Sequence, residues 1–331
     1  MRSRGLIPVH MRKMPKGFSL IELLIALAII FIIMGSLFEF FKSQYKTSDV
    51  QNKTNEMNQN IRVAMDRISI ELRMAGYKTG GPDSNFLKKL AKWIPSNSDL
   101  LPSAPYSVTM NSYLVITPGI NANQPDMITF IYGYPVQGYT NFPVELDANV
   151  FWTDPTITVT DTTGFEQGDI IYIGTGMVEG KRLEFAKIVS DPNGSSTLDI
   201  DTDPNTSGQQ GFPDDWGFGL YTKPQFYKGT EVGKINVVSF MVFNEANDPS
   251  YTHHRKDHPC LMRKRKIGND STTLQTVVED IEFLEVDMID SSSLLITLRA
   301  RTSKKDSSYT DSLYNDHYRR RELKTRLWIR N

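Results

Sequence analysis

The chain has 331 residues, enough for more than one domain at roughly 100 to 200 residues each. Its 37 basic and 38 acidic residues leave a net charge of −1, which removes any whole-chain electrostatic case for a nucleic-acid binder or an acidic solubiliser. The single cysteine, Cys260, excludes an intrachain disulfide and a four-thiolate zinc site. The near-zero balance hides a division. From Asn97 to Leu220 only Lys181, Arg182 and Lys187 oppose sixteen acidic residues, so that region carries −13 while the rest of the chain carries +12.

Residues Phe18 to Phe41 form an apolar run with no charge between Leu23 and Phe38, long enough as a helix to cross the roughly 30 Å core of a bilayer. Arg2, Arg4, Arg12, Lys13 and Lys16 precede it without an acid, which predicts a cytoplasmic N-terminus and an outward-facing remainder. A secretory signal peptide has the same outline, but the run ends Met34-Gly35-Ser36-Leu37-Phe38 and continues as a helical pattern rather than as a small-residue cleavage site. Lys16-Gly17-Phe18-Ser19-Leu20-Ile21-Glu22 instead resembles the type IV prepilin motif. The resemblance implies cleavage between Gly17 and Phe18 by a prepilin peptidase, N-methylation of Phe18, and retention of the apolar helix. It also implies that Glu22 pairs with the amine of a neighbouring subunit in a fibre, setting register. The alternative for Glu22 is an interfacial carboxylate with no partner. Either Met1 or Met11 is a possible start.

No proline occurs from Phe18 to Gly81, and Met57, Ile61, Ala64, Met65, Ile68, Leu72 and Ala75 recur at mostly three- and four-residue spacings, which predicts one long helix with an amphipathic second half ending at Gly76. Gly35-Ser36 and the polar stretch 48–60 are the expected places for bending or fraying. After Gly80-Gly81-Pro82 the pattern becomes short β runs separated by Gly, Pro, Asn and Asp. Tyr113–Thr117 and Met127–Tyr132 read as the first strands. A module at 150–203 follows, with strands at 156–160, 170–174, 183–189 and 197–200, expected as a small β-barrel or sandwich inserted into the main sheet, peripheral and tolerant of deletion if its ends lie close. Strands at 236–243, 260–267, 281–288, 294–301 and 322–329 then fit one antiparallel sheet. In the last of these Leu323, Thr325, Leu327 and Ile329 alternate with Glu322, Lys324, Arg326 and Trp328, as a sheet covered on one side requires.

The fold class expected is therefore α+β: a leader at 1–17, a helix at 18–76 spanning a membrane over 18–41, a first β part at 77–149, the inserted module at 150–203, and a C-terminal sheet at 204–331. The C-terminal third and the Gly164-Phe165-Glu166-Gln167-Gly168-Asp169 turn are similar to the W-type family of minor type IV pilins. That likeness implies a structural subunit priming assembly at a fibre tip, with other minor pilins, the major pilin and the peptidase-methylase as partners. It also implies an inner-membrane location followed by the cell surface. Many pilins close a C-terminal loop with a disulfide, which a lone Cys260 cannot do.

Other constellations read more blandly. His253, His254, His258 and Cys260 crowd one stretch, yet Pro249, Pro259, Arg255 and Lys256 oppose a zinc site. Asp199, Asp201 and Asp203 alternate, but Pro204 stands where a calcium loop needs glycine. No metal, no cofactor and no enzymatic activity are expected. Arg299, Arg301, Lys304, Lys305, Arg319, Arg320, Arg321, Lys324, Arg326 and Arg330 make the C-terminus basic, with Asp306, Asp311, Asp316 and Glu322 partly offsetting them. Docking to acidic sibling subunits or to the chain's own acidic middle, with Arg319, Arg320 and Arg321 foremost, is the reading adopted, and capture of DNA is the competing one.

Overall fold

The computed structural model describes residues 19–79, 93, 108–111, 114–119, 124–137, 143–151, 154–174, 183–192, 194–203, 226–243, 258–267, 273–290 and 292–329. The chain divides into two compact units, Met1–Asn52 and Lys53–Asn331. Helix α1, Leu20–Leu72, begins in the first and ends in the second. It continues without interruption through Gly35-Ser36 and through 48–60. From Ser19 to Asp49 every residue is exposed, so the apolar run has no protein cover, as suits a segment whose solvent is lipid.

In the second unit the helix changes character. Met57, Ile61, Ala64, Met65, Ile68, Leu72 and Ala75 are all buried, the same seven positions that the spacing marks in the sequence. Gly76 ends the helical turns with φ +78°, a conformation that glycine adopts without steric cost. Its N–H then donates to Ile131 O, and Gly133 N–H to Tyr77 O, so the chain leaving the helix pairs directly with a central strand.

The β structure comprises β1 (Val108–Asn111), β2 (Leu114–Thr117), β3 (Met127–Pro135), β4 (Thr156–Thr158), β5 (Ile170–Ile173), β6 (Glu184–Ile188), β7 (Thr197–Asp201), β8 (Val232–Phe243), β9 (Cys260–Ile267), β10 (Thr273–Glu279), β11 (Ile281–Asp290), β12 (Ser293–Arg301) and β13 (Arg320–Trp328). Among the described residues these form two antiparallel sheets. The larger runs β1-β2-β3-β8-β5-β6-β7-β4, with β9 on β8 and β10 on β9. β8 organises it. One edge of this twelve-residue strand pairs with β3, while the other is shared end to end, Val232–Lys234 with β5 and Asn236–Phe243 with β9. The sheet therefore branches at β8, and its first nine residues are buried on both faces.

Two expectations change here. The C-terminal strands do not make one sheet, because Asp280 sits between β10 and β11 at φ +64° and turns the chain into a second sheet of β11-β12-β13. The module at 150–203 is inserted into the main sheet but is not peripheral to it. β5 extends the main sheet from β8, and the module's core draws Val136, Val144, Leu146, Phe226 and Val232 from outside those limits. β10 and β1 had no counterpart in the expected strands. The small sheet is tied to the large one by Asp126, whose N–H donates to Leu284 O and whose carboxylate accepts the N–H groups of Gly119 and Val286. In β13 the expected alternation holds: Leu323 and Thr325 are half-buried and Leu327 and Ile329 buried, while Glu322, Lys324, Arg326 and Trp328 are exposed.

Candidate functional site

Gly17 and Phe18 lie outside the described residues, so the site begins at Ser19. The first helical hydrogen bond is Leu23 N–H to Ser19 O at 3.2 Å, which makes Ser19 the N-cap. Ser19 N–H in turn donates to Glu22 Oε2 at 2.9 Å, the carboxylate half of a capping box. Glu22 is thus an acid in the first turn of a helix, with its charge near the positive end of the helix dipole. An apolar helix beginning this way carries a carboxylate at lower cost than one with the acid at mid-span, because a backbone donor already faces it.

Residues 12–38 match the family described as the prokaryotic N-terminal methylation motif. The chain carries a type IV pilin-like N-terminus. No curated protein and no solved structure matches the chain. The matched segment contains Gly17, Phe18 and Glu22, and together with the long apolar helix it fits membrane anchoring of a type IV pilin-like protein.

The three C-terminal arginines do not form one surface. Arg319 directs a fork at Asp306 Oδ2, at 3.1 Å from Nε and 2.9 Å from Nη2. Arg320 is nearly buried, with 9% of its side chain exposed, and meets both oxygens of Asp316 at 2.7 and 2.6 Å and Glu282 Oε1 at 2.6 Å. Burial opposes its charge, but Asp316 and Glu282 outweigh that and raise its pKa above the usual arginine range. Only Arg321 is turned outward, donating to Asn58 Oδ1 on the helix at 2.8 Å. Around them Arg299 pairs with Glu282, and Arg326 with Asp290. Guanidinium groups also lie over the rings of Tyr309 (Arg319), Tyr314 (Arg299 and Arg320) and Tyr318 (Arg301). The carboxylates respond. A Ser308 hydroxyl and N–H, with Arg319, hold Asp306 at about 2, and Arg320 with the Tyr318 N–H holds Asp316 at about 2.

The remaining candidates are placed apart. His253 and His254 lie outside the described residues. His258 Nδ1 is 2.6 Å from Asp280 Oδ1, and burial pushes that carboxyl up, with His258 partly offsetting it. Cys260 is buried and directs its thiol to Met262 Sδ. Asp199 accepts hydrogen bonds from Thr156 and Ser190, and Asp201 caps the N–H of Asp203. Among the described residues no group of three His, Cys, Asp or Glu side chains is placed to hold a metal ion.

Sequence reasoning missed the buried polar contacts that position the helix and sheet. Arg263 of β9 pairs with Glu71 of the helix at 2.8 Å, and Glu71 also meets Arg67. Glu231 accepts from Lys78 and, at 2.6 Å, from the Tyr172 hydroxyl, while Lys234 meets Asp169 at 2.6 Å with both side chains almost fully buried. A glutamate on the buried helical stripe and a lysine inside a strand buried on both faces were the available signals.

Proposed function

We propose that the chain is a minor type IV pilin, a structural subunit that primes fibre assembly and works with other minor pilins and the major pilin. The observation that carries this reading is the methylation motif leading into a helix that is wholly uncovered over its apolar run and then packed into a large β domain. Such a chain has an anchor, a processing signal and a head of about 280 residues. In this reading a prepilin peptidase-methylase cuts after Gly17, the N-terminus faces the cytoplasm, the head is periplasmic, and Glu22 leaves its own Ser19 N–H to pair with the amine of a neighbour. The role is structural rather than catalytic.

A minor pseudopilin of a type II secretion system shares every one of these features, and a screen for co-purifying subunits separates the two. DNA capture is less well supported than it is by composition, because Arg299, Arg319, Arg320 and Arg326 already hold carboxylates of the same chain. The test is incorporation. Sheared fibres from cells producing the parent chain should contain it beside other pilins. Its presence only with secretion-system subunits would support the pseudopilin reading, and its absence from any fibre would reject both.

A further inference from the structure

We infer that the loop from Thr302 to Arg319 and the arginines beneath it form an ionic latch that holds the C-terminal strand β13 in the small sheet. β13 pairs with β12 alone among the described strands, and its buried apolar contacts lie at one end, at Leu327 and beyond it at Ile329. The other end, starting at Arg320, has only the half-buried Leu323 and is fixed by charge. Arg320 joins three elements at once, taking Asp316 from the loop and reaching across β12 to Glu282 on β11. Arg319 closes the loop's neck on Asp306, and backbone rungs from Thr302 N–H to Arg319 O, Asp306 N–H to His317 O and Asp311 N–H to Asp316 O lie in step with it. The acceptors are preset. Ser308 fixes Asp306, and the N–H groups of Leu313 and Tyr314 fix Asp311, which lies 3.5 Å from Arg320. The Tyr314 ring lies near both guanidinium groups, with Arg299 at 4.9 Å and Arg320 at 4.0 Å from its centroid. Nearby, Arg301 and the Lys305 ammonium lie over the Tyr318 ring, Glu322 is 3.7 Å from Arg299, and His317 Nδ1 is 2.6 Å from Tyr309 O.

The chemistry sets the consequence. A nearly buried guanidinium that loses its carboxylates is a bare charge in a poorly hydrated place, and strand and loop separate to hydrate it. The forked geometry also matters, since an ammonium in its place keeps the charge but cannot engage Asp316 and Glu282 together.

Hydrogen exchange of the full chain in detergent micelles, read by mass spectrometry at neutral pH, tests this on three variants. In Asp306→Asn/Asp316→Asn the peptides of 303–328 should exchange about tenfold faster or more than in the parent, with β3 and β8 unchanged. Arg320→Lys should give a smaller acceleration confined to the same residues. Leu313→Ser, at the exposed tip outside the ion pairs, should match the parent. Parent-like exchange in both charge variants overturns the latch, as does acceleration spread equally over β3 and β8. Should the double variant fail to fold, Arg320→Lys decides alone, a local acceleration supporting the latch and none refuting it.

Discussion

Tyr172 shows how a few atoms fix the centre of the larger sheet. Its ring is fully buried across β3 and β8, where a Cβ added to Gly233 would stand 2.5 Å from the ring, and one added to Gly133 would stand 2.8 Å from it. Its hydroxyl donates to Glu231, and burial followed by that contact pushes its pKa far above the usual tyrosine range. Gly233→Ala should therefore destabilise the second unit by about 1–3 kcal/mol through overpacking, measured as a fall in the urea midpoint. A midpoint equal to the parent's would show that the ring can move aside. At the other end of the chain, Glu22→Gln removes a charge from an apolar helix. Membrane insertion and cleavage should be retained while fibre incorporation falls several-fold, read by immunoblots of membrane and sheared-fibre fractions. Equal fibre levels would show that the carboxylate does not set register.

The helix is the element whose sequence pattern maps most directly onto structure. Every apolar residue of its predicted stripe is buried because residues three and four apart share one face, and that relation needs no knowledge of the partner sheet. Ile68, with no exposed surface at the middle of the stripe, should cost about 2–5 kcal/mol when truncated to alanine. The β12–β13 loop is the opposite case. A run of basic residues beside Asp306, Asp311 and Asp316 reads as a solvated surface, since pairing of arginines with particular carboxylates depends on how the chain folds back on itself. Asp306 and Asp316 have folded values of about 2, below the unfolded value of about 3.9. Their contribution is present in full above roughly pH 4 and is lost as pH falls through about 2. Near-ultraviolet circular dichroism of the loop tyrosines should hold steady from neutral pH to about pH 4 and then decline. A decline centred near pH 6 would implicate histidines instead.

Across the whole molecule, the strands other than β1 and β10 were legible in order, but the way they join was not. Alternation and turn residues mark strands one at a time, whereas the branch at β8 depends on one long strand offering the same edge to β5 and β9, contacts distant in sequence. Likewise the split into two sheets rests on a single left-handed residue, Asp280, whose type is tolerated there but does not announce it. The candidate site divides similarly. The segment that holds Gly17, Phe18 and Glu22 can be matched as a motif because it is local, while Arg319, Arg320 and Arg321 share a sequence stretch but meet three different environments. The module at 150–203 is built into the sheet, so its deletion strips the β5 partner from β8 and uncovers Val136, Val144, Leu146, Phe226 and Val232. A chain lacking it should not give a soluble folded head, tested by expression and circular dichroism.

If a prepilin-type signal delivers this head to a fibre, the fibre-borne chain carries the mark of that processing at its N-terminus. Mass spectrometry of the N-terminal peptide, taken from the chain recovered in sheared fibres, reads that mark. The expected mature chain begins at N-methylated Phe18. A chain that retains its basic leader, or one cut after Ser36 and released without the apolar helix, would contradict it.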